Sequence, residues 1–198
     1  IILNYIILNL SMIPIRNKKN TLNATVDDMR NFALAYVEKY APSKQQLKTY
    51  LLKKYLKLSV PNVKKRDVTD LIDVVLSDLE KSKFINDKFY SQSKAKSMIQ
   101  RGSSINKIRN YLIGKGINNE FIKNTVSKIY EENSDQDFFS AIKICKKKKI
   151  GPARIEDNRP LFYKKDISIL ARNGFDFETS KKVMELHKED YLKIINLL

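Results

Sequence analysis

Four consecutive lysines, Lys146 to Lys149, with Lys143 just before them and Arg154 just after, are the densest chemical signal in this chain. A row of ammonium groups is suited to holding phosphate or carboxylate oxygens. Lysines at a helix C-terminus also complement the helix dipole, which accounts for part of the run, although four exceed what capping needs. The run belongs to a wider pattern. Residues 39–66 hold nine Lys/Arg and no Asp or Glu, residues 88–119 hold seven, and residues 138–155 hold six, again without an acid. Charge sorted into blocks of this kind points to a long polyanion or an extended filament as partner rather than to a small substrate. The chain carries 38 Lys and Arg against 22 Asp and Glu, a formal net charge of +16, in the direction of nucleic-acid contact.

Catalytic chemistry finds little material. His187 is the only histidine and Cys145 the only cysteine, which excludes an internal disulfide and a multi-cysteine zinc site and fits a reducing cytoplasm. Cys145 sits among Ala141, Ile142 and Ile144 and reads as a buried small hydrophobe, with a lysine-activated thiol as the lesser reading. Gly114-Lys115-Gly116 lacks the spacing and hydroxyl of a phosphate-binding loop. Asp27-Asp28 and Glu131-Glu132 fall at helix ends, where solvation or capping is their expected role, and no set of converging carboxylates suits two metals. No enzyme, cofactor or metal site is expected. Tyr50, Tyr55, Tyr90, Tyr111 and Tyr163 interleave with basic residues and could stack on bases, but core packing with the hydroxyl at the rim is the commoner use of tyrosine at helical spacing.

The elements that must position these charges are helices. Val68, Leu71, Ile72, Val75, Leu76 and Leu79 recur at helical spacing, with Asp67 expected as N-cap and Asp70 at N3. Phe121, Ile122, Val126, Ile129 and Tyr130 do so behind Asn118, and Phe32, Tyr36 and Tyr40 form a third stripe. No stretch alternates long enough to make a strand, and Gly and Pro number only 5 each. The helices repeat. Ser43, Leu47, Tyr50, Leu51 and Lys54 answer Ser104, Ile108, Tyr111, Leu112 and Lys115, a spacing of 61 read from the numbering. Leu170, Gly174, Phe175 and Glu178 answer Leu112, Gly116, Ile117 and Glu120 at a spacing of 58. Each glycine stands where a helix end needs positive φ, and Asn118 and Asp176 are placed to cap the helices that follow. The expected fold is all-α: three tandem three-helix repeats over 25–82, 83–133 and 134–198, stacked into an elongated, curved array with the basic helices along one side. Residues 1–24 are expected to form a tail outside it. The apolar run Ile1–Leu10 is too short to span a bilayer, its basic residues follow it, Met12 is a plausible initiator, and a short amphipathic surface anchor is the alternative.

Asn86-Asp87-Lys88-Phe89-Tyr90, Arg101-Gly102-Ser103-Ser104, Ile108, Leu112 and Lys115-Gly116-Ile117 together resemble the central repeat of the RecX regulatory proteins. Tyr40-Ala41-Pro42-Ser43, Ile150-Gly151-Pro152, Lys165-Asp166-Ile167 and Ala171-Arg172-Asn173-Gly174-Phe175 extend the resemblance over nearly everything from about residue 25. Two features depart from the family: Asn86-Asp87 stands where two acids are frequent, and Tyr55 stands where the second repeat has Gly116. The resemblance implies three tandem helical repeats and a cytoplasmic protein that binds in the groove of the RecA–DNA filament. It would thereby limit filament growth and inhibit ATP hydrolysis and strand exchange in recombinational repair and the SOS response.

The residues expected to meet RecA or DNA, single-stranded first and double-stranded second, are Lys44, Lys48, Lys53, Lys54, Arg101, Lys107, Arg109, Lys146, Lys147, Lys148, Lys149 and Arg154. The protein is expected to act as a monomer, away from membranes. A rival reading is a sequence-specific helix-turn-helix regulator, because Arg109 lies on a helix after a serine-bearing turn; such a protein usually dimerises on half-sites. A purely structural helical adaptor would not need sorted charge.

Overall fold

Apolar stripes and caps fold the described residues into ten α-helices. The computed structural model describes residues 25–57 and 64–198. The helices are α1 (Val26–Tyr40), α2 (Lys44–Lys57), α3 (Lys65–Lys81), α4 (Asp87–Gln100), α5 (Ile105–Gly114), α6 (Asn119–Glu132), α7 (Gln136–Lys148), α8 (Arg159–Arg172), α9 (Phe177–Met184) and α10 (Lys188–Leu197), with short 3-10 turns at Gly151–Ala153 and Glu156–Asn158. There is no strand among the described residues, and none of their helices is long and apolar enough to cross a membrane. The expectations for residues 1–24 lie outside the described residues.

The buried side chains fall into three clusters that follow one another along the chain. Met29, Leu47, Leu51, Tyr55, Ile72, Val75 and Leu76 gather α1, α2 and α3. Tyr90, Ala95, Ile105, Ile108, Leu112, Ile122 and Val126 gather α4, α5 and α6. Ala141, Ile142, Cys145, Leu170, Val183 and Tyr191 gather α7 to α10. Burying a leucine or isoleucine is worth about 1.5–3 kcal/mol, so each cluster is a substantial local core.

Helix ends follow the caps read from the sequence, with one exception. Asn118 Oδ1 accepts from Glu120 N at 2.9 Å, and Asp176 Oδ1 accepts from Thr179 N at 2.6 Å. Gly116 and Gly174 adopt φ of +71° and +89°, where L side chains are strained. Asp67, however, is not an N-cap. The helix begins three residues earlier than expected, with Lys64 at the cap and no side-chain cap bond, which leaves Asp67 inside the first turn, where its charge faces the positive end of the dipole.

The last group departs from the three-helix expectation by carrying a fourth helix. Arg159 Nη2 donates to the carbonyls of Met184 at 2.6 Å and Leu186 at 2.8 Å, satisfying acceptors that the end of α9 leaves open. The chain turns there, and α10 starts with Glu189 and Asp190 in its first turn and buries Tyr191 in the third core. Helix α2 continues past Tyr55, which is 2 % exposed within it, in keeping with the absence there of the glycine that follows the corresponding helix of the second group.

Candidate nucleic-acid interface

The helix groups meet through a polar joint that occurs twice with the same chemistry. At the first joint, Ser43 Oγ accepts from Gln46 N at 3.2 Å and donates to the carbonyl of Lys115 at 2.8 Å. At the second, Ser104 Oγ accepts from Lys107 N at 3.1 Å and donates to the carbonyl of Asn173 at 2.9 Å. The next backbone donor is satisfied across the joint as well. Lys44 N donates to Asp87 Oδ1 at 2.9 Å, and Ile105 N donates to Asp137 Oδ1 at 2.8 Å. Each hydroxyl therefore caps its own helix and ties it to the following group. Gly116 and Gly174 follow the accepting carbonyls, and the approach there is close. A Cβ on Gly116 would lie 2.5 Å from Gln45 Cβ, and one on Gly174 would lie 2.5 Å from Ser104 Oγ. Burial pushes the Asp87 and Asp137 carboxyls above their ordinary value, more than the N–H donors of Lys44 and Ile105 lower them.

Beside the second joint lies a cleft of about 500 Å3. Lys94 and Arg101 line it from α4 and its C-cap, Lys107 from α5, and Lys147 and Lys148 from the end of α7. Five cations thus meet at one locus whose lining contains no carboxylate. Tyr111 adds a ring to the wall, its hydroxyl oxygen 3.4 Å from that of Tyr90. Lys94 Nζ lies 5.5 Å from the Tyr90 ring centroid. Arg101 folds back along its own helix, donating to Ser97 O at 3.1 Å and Ser97 Oγ at 2.8 Å. It keeps guanidinium capacity beyond these two bonds, because the group carries five N–H donors.

Three of the twelve expected contact residues are engaged with acids of this chain. Lys44 pairs with Glu80 and Lys48 with Asp73, each at 2.6 Å, so α2 lays these lysines across the acidic helix α3. Arg154 is held more firmly. Its Nε donates to Asp166 Oδ2 at 2.6 Å and its Nη2 to Oδ1 at 2.9 Å, while Gly151 N donates to the same Oδ2 at 2.8 Å. Asp166 is fully buried. Burial pushes its carboxyl up, but the Arg154 and Gly151 donors outweigh that and hold it below the ordinary value.

Lys54 packs over the Phe32 ring at 4.9 Å from its centroid. Lys53 lines a separate cleft of about 400 Å3 at the first joint with Tyr36, Tyr50 and Lys115. Arg109, Lys146 and Lys149 are exposed but not part of the five-cation cleft; Arg109 lies about 200° round α5 from Lys107. Lys149 takes a left-handed φ of 54° as the C-cap of α7.

Of the tyrosines considered for stacking, Tyr55 and Tyr90 are buried and Tyr50 stacks on Tyr36 at 3.9 Å. Cys145 is fully buried, and burial followed by the nearby Asp166 pushes its thiol up to about 12, which removes the reactive-thiol reading. The helix-turn-helix rival also loses ground. A recognition helix offers its N-terminal residues to base edges, whereas the N-terminus of α5 is covered by Asp137 and Asn173 of the last group.

Lys94 is the cleft residue that the sequence reading missed. The signal was present, since Lys94, Met98 and Arg101 stand at i, i+4 and i+7 and so share one face. Asp166 escaped for a different reason: nothing in the spacing says that Arg154, twelve residues earlier, turns back to meet it.

No family model matches the chain. It is 30% identical over 177 residues to the regulatory protein RecX of Myxococcus xanthus (strain DK1622), covering 86% of this chain and 91% of that one. It is 39% identical over 70 residues to the regulatory protein RecX of Lactococcus lactis subsp. cremoris (strain MG1363), covering 35% of this chain and 26% of the relative. Its fold is similar to a crystal structure of regulatory protein RecX, with a TM-score of 0.57 at 18% identity over 81% of this chain and 74% of the other. It is similar also to RecX from Lactobacillus salivarius, with a TM-score of 0.57 at 16% identity over 87% and 97%.

Proposed function

The chain belongs to the RecX family of regulatory proteins, and from that premise we propose that it regulates RecA by seating its basic cleft against phosphates of the RecA–DNA filament. Family membership makes it a regulatory protein, not an enzyme. The observation that carries the reading further is the gathering of Lys94, Arg101, Lys107, Lys147 and Lys148 in one carboxylate-free cleft. These residues come from three separate parts of the chain, and holding five cations together is unfavourable unless an anion joins them. A phosphodiester strand supplies such anions in series.

In this reading the three helix groups are tandem repeats stacked lengthwise, with units at about 25–82, 83–133 and 134–198, and the monomer acts in the cytoplasm. Lodged in the filament groove, it limits extension and slows ATP hydrolysis and strand exchange. Lys53 and Lys115 at the first joint offer a second anion contact along the same strand. Lys44, Lys48 and Arg154 are set aside as contacts, because acids of this chain already engage them.

The test adds the purified protein at substoichiometric amounts to RecA filaments formed on single-stranded DNA and follows ATP hydrolysis. Progressive slowing is expected, since one molecule at a growing end affects many subunits, and K147Q/K148Q should weaken it. No effect on hydrolysis, with a footprint on one duplex sequence, would overturn the proposal.

A further inference from the structure

We propose that the aromatic shelf formed by Phe84 and Phe89, between α1 and α4, takes an unpaired nucleobase of the strand whose phosphates occupy the basic cleft. The inference rests on the nucleic-acid reading above and adds a second kind of site to it.

Phe84 and Phe89 are 58 % and 68 % exposed, although phenyl rings are ordinarily drawn into a core. Their exposure is built into the backbone. Lys83 takes a left-handed φ of 61°, a strained conformation for a residue with a side chain. The turn is then pinned by Phe84 N and Ile85 N, which donate to the Leu79 carbonyl at 2.9 Å and 3.3 Å. Ile85 is 3 % exposed and anchors the turn in the first core, so its neighbour Phe84 is left facing out. Phe89 follows on the first turn of α4, where its N–H is fixed by Asn86 Oδ1 at 2.9 Å. Both rings are therefore carried on backbone held by hydrogen bonds, and only side-chain rotation is left to order on binding.

The rings border a cleft of about 400 Å3 whose lining includes Lys83 and Lys94, the polar groups of Asn86 and Ser93, and no carboxylate. Lys94 also lines the five-cation cleft, so the two sites adjoin through one side chain. A strand that leaves the phosphate cleft past Lys94 meets the phenyl faces next. Cations beside exposed aromatic rings are what sequence-tolerant single-strand binders use, with phosphates on the former and bases on the latter. An acidic or purely apolar partner would use one half of this arrangement. An unpaired nucleotide uses both, whereas a duplex keeps its bases stacked inside and has none to offer.

The chain contains no tryptophan, so F89W introduces a single indole at the shelf. Its emission should be quenched by single-stranded oligothymidine but not by an abasic strand with the same number of phosphates. F84A and F89A should weaken oligothymidine binding about 5- to 100-fold, leave binding to the abasic strand and to duplex unchanged, and keep the salt dependence of wild type. Because both rings are exposed, the thermal midpoint should hold, and circular dichroism checks this. If F84A and F89A bind oligothymidine like wild type while K147Q/K148Q binds weakly, the shelf inference is overturned and the basic cleft stands. If neither set alters binding, the nucleic-acid reading falls and takes the shelf with it. If the phenylalanine variants lose only their effect on RecA, the shelf meets protein and the inference is wrong.

Discussion

Replacing Ser104 with alanine removes one oxygen and no charge, yet the structure assigns that oxygen two roles. It accepts from Lys107 N as the cap of α5, and it donates to the Asn173 carbonyl of the last group. Losing an N-cap costs about 1 kcal/mol, and losing a hydrogen bond at a fully buried position costs about 1 kcal/mol more. The sum, about 2 kcal/mol, should lower the thermal midpoint by about 4–8 °C in a chain of this size. The same joint sets Arg101 and Lys107 opposite Lys147 and Lys148, so strand binding should weaken too. Up to two lysine–phosphate contacts are at stake, and the slope of log affinity against log salt should flatten by up to about 1.4. Ser43→Ala is the control, since it makes the equivalent change at the joint that does not frame the five-cation cleft. Calorimetry gives the first quantity, and fluorescence anisotropy with a labelled single strand gives the second. If Ser104→Ala is destabilised but binds with an unchanged slope, the joint does not register the cleft.

Other outcomes follow from single residues. Gly174→Ala should destabilise by at least about 1–2 kcal/mol for its left-handed φ alone, with the contact at Ser104 added. Gly114→Ala, where a Cβ meets nothing within 4 Å, should cost nothing or stabilise by up to about 1 kcal/mol; urea titration of both separates the cases. Asp166 has a folded pKa below its unfolded value near 3.8, so its stabilisation is present above that pH and lost as pH falls through the folded value. Asp166→Asn should therefore be about 3–5 kcal/mol less stable at pH 7, and the gap from wild type should narrow in acid unfolding below pH 4. Replacing Lys147 and Lys148 with Gln should flatten the salt slope by about 0.7 per contact, whereas replacing Lys44 and Lys48, which acids of α3 already engage, should change it far less.

Most of the helical scaffold could be read from residues whose signal is local. Gly116, Gly174, Asn118 and Asp176 mark helix ends because positive φ and side-chain caps depend on neighbours a few residues away. Asp67 misled for the same reason: a good capping residue says where a helix can start, while Lys64 to Arg66 were free to extend it. The fourth helix of the last group was hidden, because it depends on Arg159 reaching carbonyls 25 and 27 residues ahead. The candidate site was half legible. Sorting charge along the chain found Arg101, Lys107, Lys147 and Lys148, but pairing happens through space, and only the fold shows that Asp73, Glu80 and Asp166 claim Lys48, Lys44 and Arg154. The exposed aromatics carry no local signal in the sequence, because Phe84 is turned outward by the left-handed backbone of its neighbour Lys83.

The two joints also impose an order on synthesis. Lys44 N finds its carboxylate 43 residues later, and Ser43 finds its carbonyl 72 residues later. When the first helices leave the ribosome, the donors at the start of α2 face water, and they are satisfied only as Asp87 and then Lys115 emerge. The second group waits in turn, 32 residues for Asp137 and 69 for Asn173. Each part of the nascent chain thus exposes one open end to be closed by whatever is translated next. A nascent chain that has emerged as far as residues 116 to 136 carries both partners of its first joint, while those of its second are still to come.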